Sequence, residues 1–156
     1  MSPILAGETS TATLQFPEIA TSAPRELLGG DVLVYGRWPA DPVRQIITLE
    51  RTLGLNWDGY GSAPITPDTA NTAIRLVNEI AALGFEDLPA PSVGPVHGGG
   101  LALEWSRDQR ELNFAILPDA GVDFLKARTG EPFEDGHIAL GFPGRLRELI
   151  SWFMAR

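Results

Sequence analysis

The spacing of apolar positions divides this chain into a helical half and a strand half. From Asp41 to Gly54, Val43, Ile46, Ile47 and Leu53 recur at helical intervals, with Leu49 beside them and Glu50 interrupting the stripe. Asp41 can accept from the first free amides of such a helix, and Pro42 can open it because a first-turn residue needs no N–H. The pattern therefore predicts a helix that starts at Pro42 and stops at Gly54, with Leu55 folded back over its end. The same grammar recurs at Thr66-Pro67-Asp68, where Ala70, Ala73, Ile74, Val77, Ile80 and Ala81 form the apolar stripe and Gly84 closes the segment.

After Pro89 the period becomes two. Ser92 to His97 contains Gly94 and Pro95, which confines it to an edge strand or an extended lead-in. Gly98-Gly99-Gly100 then turns the chain. Leu101, Leu103 and Trp105 alternate with Ala102 and Glu104, and Leu112, Phe114 and Ile116 alternate with Glu111, Asn113 and Ala115. Pro118 to Gly121 makes another turn, Val122 to Lys126 another strand, and His137 to Leu140 a last short one. Pro143 opens a closing helix with Leu146, Leu149, Ile150 and Phe153 on one stripe. Two helices, a meander of three to five strands and a final helix define an α+β fold: an antiparallel sheet packed by two N-terminal-side helices and one C-terminal helix. Before Asp41 the pattern is weaker. Asp31 to Tyr35 reads as a short strand or apolar clip. Residues 2–24, rich in Ser, Thr, Ala and Pro, read as a mobile arm with a short strand around Thr11 to Phe16. The expected division is an arm over residues 1–30 and a single α+β domain over 31–156.

Composition changes this picture in three places. The chain has 156 residues, 12 basic against 20 acidic, for a net charge of −8. That sign disfavours nucleic-acid backbones and anionic lipid surfaces, which are bound by neutralising phosphates with Lys and Arg. No cysteine is present, which removes thiolate zinc sites, disulfides and Cys nucleophiles. Neither a secretory leader nor an apolar run long enough to span a bilayer is visible, so the expected location is the cytoplasm. The 17 glycines and 13 prolines fall mostly at helix starts, helix ends and strand turns, so their excess is architectural.

Three places could carry chemistry or recognition. The first is Asn56-Trp57-Asp58-Gly59-Tyr60-Gly61, in a long connection between helices. Asp58 could serve as an acid or ligand with Trp57 and Tyr60 as a platform; the commoner alternative is two aromatic plugs around a tight turn. The second is His97 with the three glycines and Glu104. Phosphate loops need a following helix or a lysine, and here a strand follows, so a hairpin turn accounts for the glycines. Asp58, Glu104 and His97 are the candidate catalytic residues, and a small hydrolase or ligand-binding enzyme would need all three within about 8 Å across one cleft. No metal site or cofactor is expected, because neither histidine has a helically spaced partner. The third is the closing helix, where Arg145, Arg147 and Arg156 outnumber Glu148 and Trp152 falls off the apolar stripe. Trp and Arg dominate interface energetics, so Trp152, Arg145 and Arg147, with Trp57 and Tyr60, are the candidate partner-binding residues; a Trp152 that wraps over the sheet edge is the equal alternative.

The W-D-G-x-G loop at Trp57 to Gly61, the Pro64-Ile65-Thr66-Pro67 helix start and the G-G-x-x-x-E-W strand from Gly99 to Trp105 together form a signature. In these the chain resembles a widespread group of small bacterial proteins, over roughly residues 43 to 127. The resemblance brings no activity, cofactor or catalytic residue with it; it implies a bacterial, single-domain, cytoplasmic protein. The leading expectation is a non-enzymatic module that binds another protein, in the manner of an antitoxin, immunity or inhibitor protein, with self-association also open. The enzyme using Asp58, Glu104 and His97 is the alternative.

Overall fold

A computed structural model describes residues 30–156, with side-chain surroundings from Pro39 onward. The arm expected over residues 1–30, with its strand near Thr11 to Phe16, lies outside the described residues apart from Gly30. Among those described, the elements run α1 (Gly30–Thr52), α2 (Pro67–Ala81), β1 (Ser92–Val96), β2 (Gly100–Arg107), β3 (Arg110–Ile116), β4 (Val122–Arg128), β5 (Glu134–Ile138) and α3 (Pro143–Met154). The five strands form one antiparallel meander in sequence order, and the fold is α+β as expected.

The first helix departs from its sequence reading. It begins at Gly30, takes in Asp31 to Tyr35, and carries Pro39 and Pro42 inside it rather than opening at Pro42. A short apolar run has no periodicity to separate strand from helix, which is why Asp31 to Tyr35 reads as a strand in isolation. Each internal proline removes one backbone hydrogen bond to the residue four earlier, so the first turns are tied more weakly than the rest. Pro42 and Ile46 are buried, with Val43, Leu49 and Leu53 packed at the edge of the core. At the other end, Leu55 is 78% exposed and does not fold back over the helix. The chain leaves instead through Asn56, which adopts a left-handed φ of 60°.

The second helix follows its signals. Thr66 caps it by accepting from the Thr69 amide, Pro67 opens it and Asp68 occupies the first turn. Its buried stripe is Thr69, Ala70, Ala73, Leu76, Val77 and Ile80; Leu76 takes the central place, while Ile74 and Ala81 lie half-buried. The Thr69 hydroxyl donates toward the Leu117 and Pro118 carbonyls and so ties this helix to the turn between β3 and β4.

Strand register sorts residues by side. Leu101, Leu103 and Trp105 of β2 align with Ile116, Phe114 and Leu112 of β3, and Phe114 and Ile116 align with Phe124 and Val122 of β4. Cα partners share a face, so these form one buried surface, with Trp105 edge-on to Phe114 at 5.8 Å. The Trp105 indole N–H also reaches the Pro89 carbonyl at 2.7 Å. Leu146, Leu149, Ile150 and Phe153 of α3 complete the cluster together with α2 and Ile46. The helices thus cover one face of the sheet, and the opposite face carries no helix among the described residues.

Candidate functional site: a clasped loop on the first hairpin

The connection from Leu53 to Thr66 is held in one shape by its own polar atoms. Asn56 donates its amide to the Ser62 carbonyl at 2.7 Å, and its side-chain oxygen accepts from the Gly61 amide at 2.5 Å. Asp58 Oδ1 accepts from the Tyr60 amide at 2.9 Å and the Ser62 amide at 3.2 Å. Its Oδ2 accepts the Ser62 hydroxyl at 2.6 Å and lies 2.7 Å from His97 Nδ1. Ser62 Oγ is 2.8 Å from the same Nδ1 and accepts from the Gly98 amide at 2.9 Å. A short-range turn (Asp58 with Ser62) is therefore locked to the β1–β2 turn (His97 with Gly98), more than thirty residues away in sequence. Ser62 is 1% exposed, so its hydroxyl needs these partners.

The glycines make the docking sterically feasible. Gly98 and Gly99 have φ of 93° and 97°, where a β-carbon is strained. A β-carbon on Gly99 would also lie 3.1 Å from the Pro64 carbonyl oxygen, so the loop backbone rests directly against this turn.

Proton counting defines what the cluster can do. The Asp58 carboxyl is held well below its ordinary value of 3.8, first by the Ser62 hydroxyl, with burial opposing, then by His97 and the Tyr60 and Ser62 amides. An ionised Asp58 only accepts, so the single Ser62 proton points to Asp58. His97 must then carry a proton on Nδ1 to bond this corner, which leaves Nε2 facing outward on a side chain 67% exposed. In a serine nucleophile triad, the serine sits on one ring nitrogen and the carboxylate on the other. Here both share Nδ1, and the hydroxyl is buried with its proton committed to Asp58. The arrangement is a fastening, and Ser62 is not an activated nucleophile.

The pH dependence follows from the same geometry. Asp58 has a lower value folded than unfolded, so its stabilisation is complete above 3.8 and is lost as pH falls below it. Asp58→Asn is therefore expected to lower the melting temperature most at neutral pH, with the gap to wild type closing as the solution is acidified. A gap that stays constant down to about pH 2 would show that no ionised clasp exists.

The other sequence candidates are distributed. Glu104 does not join Asp58 and His97: it pairs in register with Ser92, and His97 lies five residues beyond Ser92, about 16 Å along the strand at roughly 3.3 Å per residue. It projects from the uncovered sheet face. Trp57 is half-buried, and its indole N–H finds no acceptor among the described residues. Tyr60 is 84% exposed. Trp152 is half-buried with Arg110 and Lys126 over its ring at 5.6 and 5.0 Å. Arg145 bridges Glu134 and Glu148 and lies over Phe124, whereas Arg147 is exposed with no ion pair among the described residues. Ser62 is the member that sequence reading passes over, and Asn56 lies in the segment it names but is given no role there. A serine four residues after Asp58 in a glycine-rich turn was the available signal, because Asp and Ser side chains readily bond nearby amides. No group of three metal-ligating side chains converges among the described residues. Comparison with family models, with curated proteins and with solved structures finds no match for this chain.

Proposed function

We propose that this protein is a non-enzymatic module that binds another protein, in the manner of an antitoxin, immunity or inhibitor protein, and that the clasped loop is its contact. The observation that carries this reading is an exposed Leu55 and Tyr60 on a loop held by the Asn56, Asp58 and Ser62 network. Single exposed apolar side chains are ordinary. A leucine and a tyrosine presented together on a loop whose backbone is already fixed are what an interface anchor needs, because ordering is then not charged against binding. Val96, on the hairpin against which the loop is fastened, is 37% exposed. The polar cluster supplies shape rather than reactivity, which supports recognition over catalysis. A chain without cysteine suits the reducing cytoplasm, where we place this activity.

The test is site-specific photo-crosslinking in cells of the source organism. A photoreactive residue replacing Tyr60 is expected to give one discrete adduct with a second protein, while the same residue replacing Glu131 gives none. No adduct from position 60, or equal adducts from both positions, overturns the reading.

A further inference from the structure

The uncovered face of the sheet is sorted by charge. Its residues are fixed by register: Ser92, Glu104, Asn113, Leu125 and Asp135 align across the five strands, and Gly94, Ala102, Ala115, Asp123 and His137 form the next row. Glu111 aligns with Ser106 and Ala127 in a third. The four carboxylates Glu104, Glu111, Asp123 and Asp135 thus share this side, which carries no lysine or arginine among the described residues. Every cationic strand residue stands on the other side: Arg107 and Arg110 align with each other, Arg128 aligns with Arg110, and Lys126 aligns with Leu112. Those cations are occupied there. Arg107 donates to the Phe153 carbonyl, Arg110 to that of Ala155, Lys126 pairs with Glu134 and Arg128 with Glu131. On the uncovered side Asp123 bonds only His137, and Glu104, Glu111 and Asp135 have no ion-pair partner among the described residues.

The face is also shaped. A depression of ≈ 490 Å³ is lined by Ala102, Glu104, Ala115, Asp123, Asp135 and His137 among others, with alanines where larger side chains would fill it. Strands about 4.8 Å apart and alternate residues about 6.7 Å apart put Asp123 roughly 8 Å from Asp135 and roughly 12 Å from Glu104. No group of three metal-ligating side chains converges there among the described residues. Glu104 and Asp135 stand in one row about 14 Å apart, close to the span of three alternate side chains on an extended chain, with Asp123 set about 6.7 Å to one side. A second copy of this face would repel it, and so would a phosphate backbone.

We propose that this face binds an extended, basic segment of a protein partner, with Arg or Lys side chains meeting Glu104, Asp123 and Asp135 over the alanine floor. The proposal rests on the partner-binding reading but uses a surface separate from the clasped loop.

The probe is a fluorescein-labelled peptide of four Arg-Thr repeats, titrated with the full chain at low salt, with amide chemical shifts recorded in parallel. Shifts are expected at Ala102, Glu104, Asn113, Ala115, Asp123 and Asp135, and raised salt should weaken binding. The variant E104Q/D123N/D135N is expected to lose about tenfold in affinity, while E86Q/D87N/E131Q, which removes the same charge elsewhere, loses less than about twofold. Ala115→Arg, which fills the depression and leaves every carboxylate in place, is expected to match the first variant. Equal losses in both triple variants would reduce the effect to net charge and overturn the proposal, as would an absence of binding. L55A/Y60A is expected to bind the peptide like wild type. If that variant loses binding and the shifts centre on residues 54–62, this proposal fails and the loop reading stands. Face binding without a crosslink from position 60 does the reverse.

Discussion

Gly99→Ala is expected to destabilise the protein by roughly 2–4 kcal/mol, the sum of a left-handed backbone strained by a β-carbon and an overpacked contact. The backbone at Gly99 has a φ of 97°, and the added carbon would press on the Pro64 and Ala63 carbonyl oxygens at 3.1 and 3.3 Å. Neither oxygen belongs to a flexible side chain, so relief requires the loop to lift away from the turn. Lifting it separates Ser62 from Gly98 and Asp58 from His97, so the effect extends to the whole clasp. For a chain of this length the melting midpoint should fall by about 5–15 °C. Amide exchange should quicken across residues 56–62 before it does in the sheet. Gly54→Ala is the control: nothing lies within 4 Å of its added carbon and its φ is not left-handed, so the change should be within about 1 kcal/mol of neutral. Equal midpoints for Gly99→Ala and wild type would mean that the loop is not seated on the hairpin.

The sequence was most legible where one local rule sufficed. Thr66-Pro67-Asp68 fixes the start of α2 through a side-chain cap, a residue that needs no amide and a charge matched to the helix dipole, all within three positions. The Leu146 to Phe153 stripe and the alternation across β2 and β3 are periodic in the same way, and the structure buries those residues. The start of α1 was illegible because two local rules conflict. Pro42 is a good first-turn residue, and nothing nearby says that helix continues back through it and Pro39 to Gly30.

The candidate site was legible in its parts and not in its assembly. Asp58 and His97 stand out as residue types, but their contact depends on how the loop docks on the first hairpin, which no spacing encodes. Glu104 could have been separated from them beforehand. It alternates with Leu101, Leu103 and Trp105, and a residue one position off a buried face must lie on the other side of the sheet. The same parity applied to Arg107, Arg110, Glu111, Asp123 and Lys126 yields most of the charge sorting of the two faces; Asp135 escaped it, because the last strand runs Glu134–Ile138 and not from His137 to Leu140 as its pattern suggested. That signal was present in the sequence and needed only the register to be read.

Phe153→Ala is expected to have the largest effect on α3, about 3–5 kcal/mol for a large side chain removed from a closed core. Phe153 is 0% exposed, and the Arg107 guanidinium lies 5.2 Å from its ring centroid while donating to its carbonyl at 3.0 Å. Truncation therefore opens a cavity and removes the surface over which that charge rests. Trp152 is held differently. It is half-buried, and Arg110 and Lys126 approach its ring from the sheet. Trp152→Ala should accordingly cost about 1–3 kcal/mol, from lost burial and two lost cation contacts. Arg147→Ala, exposed and without an ion pair among the described residues, should stay within about 0.5 kcal/mol. Urea unfolding of the three variants checks the order. A cost for Trp152→Ala as small as that for Arg147→Ala would mean that the cations do not hold the indole. The ring would then be free to face a partner, and α3 would join the contact surface proposed above.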